Sequence, residues 1–456
     1  MNDQLTIAGG GITGLAAAYI AAKAGKKVRL FEGSNQFGGL LNTFPIGGNR
    51  LEYFYHHFFT HDAELNWLLK ELGLEKEVFF CNTTMGIFRD GKIHDFNTPM
   101  DLLKFEPVGW TGKFRFALTS LFLGKFADWR KYEHLSTLDW FYRWAGNSVT
   151  EALWKPLLSI KFGPYADKVP LAWMIGRLRQ RMNSRKQGNE QLGYLEGSLQ
   201  RLLDALLNEL KAAGVELISN AALKRLLVRG NLLEGIETPA GKVEGGDFLL
   251  TIPGLYLPAL LRDHHQDLAQ RFEKIEYFGA ICVVLELNRP LSSIYWLNVA
   301  DEGFPFGGII EQTNLLPATA YNGSHIAYLS RYFAKEEAIA AMKNEEVAEL
   351  MLASLPKIYS DFEKSWLKKV HVFRTNTAAT VCDRQFSQKI PPCQTPIQRL
   401  FIANMAHVYP DERSANNAIR VAAQACKVMG IDSSFVPSKA SLSGQIGFNE
   451  LDLLNS

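Results

Sequence analysis

At 456 residues, 47% of them hydrophobic and 21% charged, the chain is long enough for two or three domains and a large core. Its net charge of +2, with acids and bases interleaved and no long basic run, excludes a surface built for nucleic acid, so any anion affinity is local. The five cysteines, Cys81, Cys282, Cys382, Cys393 and Cys426, form no CxxC pair and no tight pairing with histidine, a spacing that disfavours a zinc site and a disulfide framework and fits a reducing, cytoplasmic setting.

An apolar strand over 5–8 runs into Gly9-Gly10-Gly11-Ile12-Thr13-Gly14, and an Ala-rich helix follows at once. This is GxGxxG between strand and helix: one glycine for the tight turn, one for backbone approach to a pyrophosphate, one for helix–strand packing. Free N–H groups at the helix start face the phosphates. A second strand over 27–31 ends at Glu32, eighteen residues after Gly14, where a carboxylate takes both hydroxyls of an adenosine ribose and favours FAD or NAD over NADP. The apolar run over 5–22 has no basic start and is interrupted by glycines, so it is read as this motif rather than as a signal or a membrane helix.

Next comes Leu51-Glu52-Tyr53-Phe54-Tyr55-His56-His57-Phe58-Phe59, a dense aromatic segment with adjacent histidines. A helix is predicted over 60–73, with Thr60 as cap, a stripe of Leu65, Leu68, Leu69 and Leu72, and Gly73 as stop. From 99 to 191 the composition turns aromatic and basic, with Trp110, Phe114, Phe122, Phe126, Trp129, Trp140, Phe141 and Trp144 among Lys113, Arg115, Lys125 and Arg130. Strand alternation is absent there, so a helical insertion is expected. Its rings form the core of a cap over the active site in one reading, and a peripheral membrane contact in the other. A helix over 198–213 is followed by strands over 215–218, 223–228, 232–237 and 248–252. Strands over 278–287, 308–311 and 325–329 imply a second sheet, covered by a helix over 345–355. The last strand, 400–403, leads through a loop into a helix over 415–429. No internal repeat is present.

The stretch Glu32-Gly33-Ser34-Asn35-Gln36-Phe37-Gly38-Gly39 resembles the E-x(5)-GG extension of the two-dinucleotide-binding-domain flavoproteins, whose cofactor is FAD. With the resumption at Gly197-Ser198-Leu199 and the stretch 400–425, nearly the whole chain resembles the flavin-containing amine oxidase superfamily, nearest to its protoporphyrinogen-oxidase-like and carotenoid-desaturase-like members. The segments 308–314 and 328–332 are similar to another member, UDP-galactopyranose mutase.

The resemblance implies that Gly9, Gly11, Ile12, Thr13, Gly14, Glu32, Gly38, Gly39, Leu40 and Leu41 surround the ADP half of FAD, with backbone near Leu223 against the adenine. It implies that Asn404 stands where the family has an acid. It further implies that the helix start Asn416-Asn417-Ala418 offers N–H groups to the flavin N1 and C2 carbonyl. Two further positions depart from the family: Leu40 replaces a common arginine, and Glu52-Tyr53-Phe54 replaces a D-x-G. No cysteine is placed for covalent attachment, so FAD is expected to be noncovalent.

The expected fold is α/β and α+β: a discontinuous Rossmann-like FAD domain (1–60, 192–255, 396–430), a helical insertion (61–191), a substrate-binding mixed sheet (256–395) and a tail (431–456). His56 and His57, expected beside the isoalloxazine with near-neutral pKa values, are candidates to move a proton; packing inside the aromatic cluster is the alternative. Glu311 and Arg331 are candidates to bind a polar substrate or to set the flavin potential, against a salt bridge across a sheet. Arg177, Arg179, Arg181 and Arg185 cannot all share one helical face and are read as solvated. The expected activity is FAD-dependent removal of hydride from a medium-sized organic molecule. A nonredox reduced-FAD reaction on a nucleotide sugar, or a peripheral membrane or partner-binding protein with structural FAD, are the alternatives.

Overall fold

The computed structural model describes residues 3–186 and 189–437. The tail expected over 431–456 therefore lies mostly outside the described residues, as does the side chain of Arg185.

A five-stranded parallel sheet is assembled from distant parts of the chain, in the order Glu216–Ile218, Lys27–Phe31, Gln4–Ala8, Asp247–Leu250 and Leu400–Ile402. Its strands are short and apolar on both faces, Leu5, Ile7, Leu30, Leu249 and Ile402 all being buried, as parallel strands covered by helices must be. The helix Ile12–Lys23 covers one face. Its alanines at 16, 17, 18 and 21 leave room for the helix Ala415–Val428 to lie close, and the Cys426 thiol reaches the Ala17 carbonyl at 3.8 Å.

A seven-stranded sheet runs Leu367–Thr380, Tyr277–Leu287, His325–Phe333, Gly308–Glu311, Trp296–Val299, Met85–Arg89 and Lys92–Asp95. All neighbours are antiparallel except Trp296–Val299 beside Met85–Arg89. One face packs Ile281, Val283, Leu285, Leu297, Ile309 and Leu329 on Val347, Met351 and Leu355 of the covering helical segment. The other carries Cys282, Val284, Ile310 and Tyr328 onto Phe44, Leu51, Phe59, Leu192 and Tyr194.

Three departures from the sequence reading have physical causes. The segment from 61 to 191 is not helical throughout, because Val78–Asn82, Met85–Arg89 and Lys92–Asp95 are strands and two of them complete the seven-stranded sheet; in the first two the apolar residues run together, as in Val78-Phe79-Phe80 and Ile87-Phe88, so no alternation marks them. The strand Leu367–Thr380 was not anticipated, since Lys368, Lys369, His371, Arg374 and the threonines mask the period-2 pattern of a half-exposed strand. Finally, Thr60 does not cap the next helix, which spans Ala63–Glu71. Its Glu64 and Leu65 N–H groups instead donate to the Asn416 side-chain oxygen at 2.9 and 3.0 Å, a cap supplied from the other end of the chain.

Candidate active site

The site has two parts. The first is a cradle built from backbone. Gly9 to Gly14 turn from the Gln4–Ala8 strand into a helix whose first turn holds no acid and no side-chain cap, which leaves its positive end for an anion. A Cβ at Gly14 would stand 1.9 Å from the Gly9 carbonyl oxygen, so only glycine lets the helix sit this close to the strand. At Gly11 the nearest atom to such a Cβ is the Gly39 Cα at 4.0 Å, so the space above this residue is open. Gly38 N–H donates to Gly10 O at 2.8 Å, and this folds the second glycine pair back over the first loop. Glu32 accepts from Gly10 N at 2.7 Å and from Ser34 N at 2.8 Å, so its half-buried carboxylate is held at the rim. Ala221 N–H donates to Glu32 O at 2.8 Å, which brings the connection bearing Leu223 alongside the acid. Leu41 is buried in the core and Leu40 is half-buried beside it. Open space over Gly11, an uncapped helix start and an acid at the end of the second strand fit the pyrophosphate and ribose of a dinucleotide.

At the opposite end the expectations are narrowed. Asn404 is buried, with its side-chain oxygen accepting from Ala406 N at 3.0 Å and its amide donating to Ile252 O at 3.1 Å, so both ends already hold the fold. Asn417 N–H donates to Ser414 Oγ and Ala418 N–H to Ser414 O, which leaves the N–H groups of Ala415 and Asn416 at the helix start. The Asn416 and Asn417 side chains cap Ala63–Glu71 and bind Glu412 O, respectively.

The second part is a chamber built from side chains. Residues 53–57 cross the seven-stranded sheet without regular structure. Tyr53 stacks on Phe373 at 4.4 Å, and Tyr55 meets Trp296 edge-on at 4.9 Å and Tyr328 at 6.0 Å. His57 lies against Trp296 at 5.8 Å and Tyr295 at 6.3 Å. The His56 Nδ1–H donates to the Phe54 carbonyl at 2.5 Å, which fixes the neutral tautomer and leaves Nε2 as the acceptor. Neither histidine keeps a near-neutral pKa. Burial and then Arg413 pull His56 down to about 4, while burial and then Arg181 pull His57 down to about 3, so both are neutral at pH 7.

Around them converge groups that the sequence reading left aside. Arg177 and Arg181 stand four residues apart on the helix Leu171–Asn183 and so share a face; they are half-buried, not solvated. Arg181 pairs with Glu190 at 2.5 Å, and burial pulls Arg177 down to about 10. From the loop before the last helix, Glu412 meets Lys161 at 2.7 Å and Arg413 donates to the Tyr332 hydroxyl at 3.0 Å. Burial opposes ionisation of Tyr332, but Arg413 and Lys161 outweigh it and hold its hydroxyl below the ordinary value. Burial, then the neighbouring Tyr332, holds Tyr55 well above it. The Arg413 Nε is buried with no hydrogen-bond partner among the described residues. The signals were present in the sequence: an i,i+4 pair of arginines, and a Glu-Arg pair directly before the Ser414 helix cap.

Glu311 and Arg331 do not join this chamber. Side chains alternate across a strand, and the chamber face carries Ile310, Tyr328 and Tyr332, so residues 311 and 331 point the other way. Glu311, 1% exposed, accepts from Leu291 N at 3.0 Å and Ser292 Oγ at 2.5 Å, and burial pushes it up to about 7. Arg331 pairs with Glu337 at 2.5 Å.

Against known proteins, a model of the flavin containing amine oxidoreductase family matches residues 12–426. The 15-cis-phytoene desaturase of Solanum lycopersicum is 21% identical over 426 residues, covering 87% of this chain and 71% of its own. Among solved structures, a protoporphyrinogen-oxidase-like protein of Exiguobacterium sp. 255-15 has a TM-score of 0.76 at 18% identity, covering 93% of this chain and 98% of its own. Reduced UDP-galactopyranose mutase gives a TM-score of 0.74 at 14% identity and 97% coverage of each chain. With a dinucleotide cradle in place and a family match that runs from the glycine loop through the last helix, the chain belongs to the flavin containing amine oxidoreductases and is an FAD-dependent oxidoreductase.

Proposed function

We propose that the chain oxidises an organic molecule carrying an acidic group, bound in the chamber beside the flavin. The observation that carries this is the balance of charge: Lys161, Arg177, Arg181 and Arg413 stand among Glu190, Glu412 and Asp411, the last paired with Arg420 at 3.4 Å, and the histidines between them are neutral. A cationic amine finds three carboxylates already paired with bases, and an apolar polyene would leave the Arg413 Nε desolvated without a partner. An anionic group satisfies Arg413, and the rings of Tyr55 and Trp296 form an aromatic wall for the rest of the molecule.

In this reading Gly9, Gly11, Ile12, Thr13, Gly14, Gly38 and Gly39 would hold the pyrophosphate of a noncovalent FAD. Glu32 would hold its ribose, and the start of the Ala415–Val428 helix the flavin. Bound FAD is the two-electron acceptor in this chemistry. The substrate loses a C–H bond as hydride together with a proton. The His56 Nε2, kept unprotonated by burial and by the Nδ1–H···O bond to Phe54, is the group that takes that proton.

The test is anaerobic mixing of the FAD-loaded protein with a panel of carboxylates, their esters and their amine counterparts, following bleaching of the flavin band. Bleaching confined to the acids is expected. Bleaching by amines but not acids would sink the reading. The same cations would also hold the diphosphate of a nucleotide sugar. Isomerisation of a UDP-sugar by the prereduced protein, without net consumption of electrons, would favour that second reading.

A further inference from the structure

The helix Trp110–Lys125 belongs to the core on one side only. Gly112, Thr119 and Leu123 are buried, whereas Trp110 (73% exposed), Phe114 (66%), Leu118 (50%), Leu121, Phe122 and, just past the helix end, Phe126 (72%) stand in solvent. At about 100° per residue these six fall within roughly 160° of arc, one continuous stripe about 24 Å long. The surface widens on both sides of the helix's N-terminal half. Lys113 ties the Trp110 ring, 5.2 Å away, to the Leu103 carbonyl at 2.6 Å, and Arg115 donates to the carbonyls of Trp144 and Arg143 at 2.8 and 3.0 Å. Met100, Leu103 and Trp144 are themselves exposed. Of the fourteen large apolar side chains exposed on the described chain, nine lie between residues 100 and 144, so this is one patch and not ordinary scatter.

The charges say what covers it. Residues 107–127 carry the exposed bases Arg115 and Lys125, the buried Lys113 and no acid, and the acids at either edge are paired, Glu106 with Lys92 and Asp128 with Arg130, both at 3.7 Å. Two copies joined through this stripe would set cations against cations. An anionic lipid surface matches both the bases and the rings, because tryptophan sits at the level of the headgroups and basic side chains reach the phosphates. No helix among the described residues is long and apolar enough to cross a membrane, so the contact is with the interface alone.

We propose that the Trp110–Phe126 face docks on an anionic phospholipid bilayer and lies in its headgroup region. The helix packs through Gly124 against Met182 of Leu171–Asn183, the helix that carries Arg177 and Arg181 into the chamber. The docked face is therefore one helix away from the site. The proposal does not depend on which molecule is oxidised.

Sedimentation of the full FAD-loaded chain with phosphatidylcholine vesicles, with and without phosphatidylglycerol, tests it. Pelleting with the anionic vesicles is expected, weakened at high salt. The combined variant Trp110→Ser, Phe114→Ser, Phe126→Ser is expected to bind at least about tenfold more weakly, with its flavin content and thermal unfolding unchanged. A wild-type chain that stays in the supernatant with both vesicles overturns the proposal, as does a variant that pellets like wild type. A dimer in light scattering that the same variant disperses also overturns it, and identifies the occupant as a second copy.

Discussion

On the His325–Phe333 strand, Tyr328 and Tyr332 point toward residues 53–57, while Leu329, Arg331 and Phe333 point toward the covering helices. The same strand thus supplies a polar, aromatic wall on one face and an ordinary core on the other. Polar residues occur on both faces, but with different partners. Tyr332 shares its environment with Tyr55 and Arg413, whereas Glu311 is buried and bonded to Leu291 and Ser292, and the half-buried Arg331 is held by Glu337. The lesson is that a charged residue in a strand gains its meaning from the parity of its position, which is fixed only when the register is known.

The sharpest way to break this contrast is at His56. If its Nε2 takes the substrate proton, His56→Gln is expected to lower kcat roughly a hundredfold while FAD content is retained. Because its pKa is about 4, the wild-type rate is expected to lack an imidazole limb between about pH 6 and 8. A limb in that window that disappears in the variant would show that the histidine titrates normally and that the chamber is wetter than its packing implies. Arg413→Ala comes next, with a loss of about thirtyfold in kcat/KM for acidic substrates, the size of one charge-assisted hydrogen bond. An equal loss with neutral substrates would mean that Arg413 only supports Tyr332.

The other face makes predictions in stability instead of rate. Burial raises Glu311 from 4.5 in the unfolded chain to about 7 in the folded one, so the native state keeps this proton longer. Its contribution is complete below about pH 4.5 and is lost as pH rises through about 7, amounting to on the order of 1–3 kcal/mol. Glu311→Gln is expected to flatten that part of the unfolding free energy against pH, measured by urea titration. An unchanged slope would mean that the carboxyl is ionised in the fold. The smallest effect belongs to Arg331→Met. A partly exposed pair is worth about 0–1 kcal/mol, and activity is expected to stay within about threefold. A large loss of rate would place Arg331 in the chamber after all.

This contrast also explains what was legible in the sequence. The cradle is written in consecutive residues, since Gly14 is required by a carbonyl five residues earlier and Glu32 by a strand that follows directly. The helices at 200–212 and 415–428 were bounded by their glycines and by their apolar stripes. The chamber is not local. Tyr55, Lys161, Arg177, Glu190, Tyr332 and Arg413 come from six stretches, and no spacing rule joins them before the fold does. Glu311 and Arg331 drew attention as charges in apolar strands, yet their parity sets them on the far face. Arg177 and Arg181 are masked in the sequence by two further arginines, Arg179 and Arg185, and only the i,i+4 spacing on one helix gives the first pair a common face.

The cap that Asn416 provides to the Ala63–Glu71 helix also bears on how the molecule is made. Glu64 is clamped a second time by Arg420, whose Nη2 lies 3.0 Å from its carboxylate. Until the ribosome has released residues near 420, that helix start has two uncapped N–H groups and a carboxylate without its base. During synthesis the start of the Ala63–Glu71 helix therefore lacks these partners until the last helix emerges. Any truncation that removes the last helix disables a turn more than three hundred residues upstream.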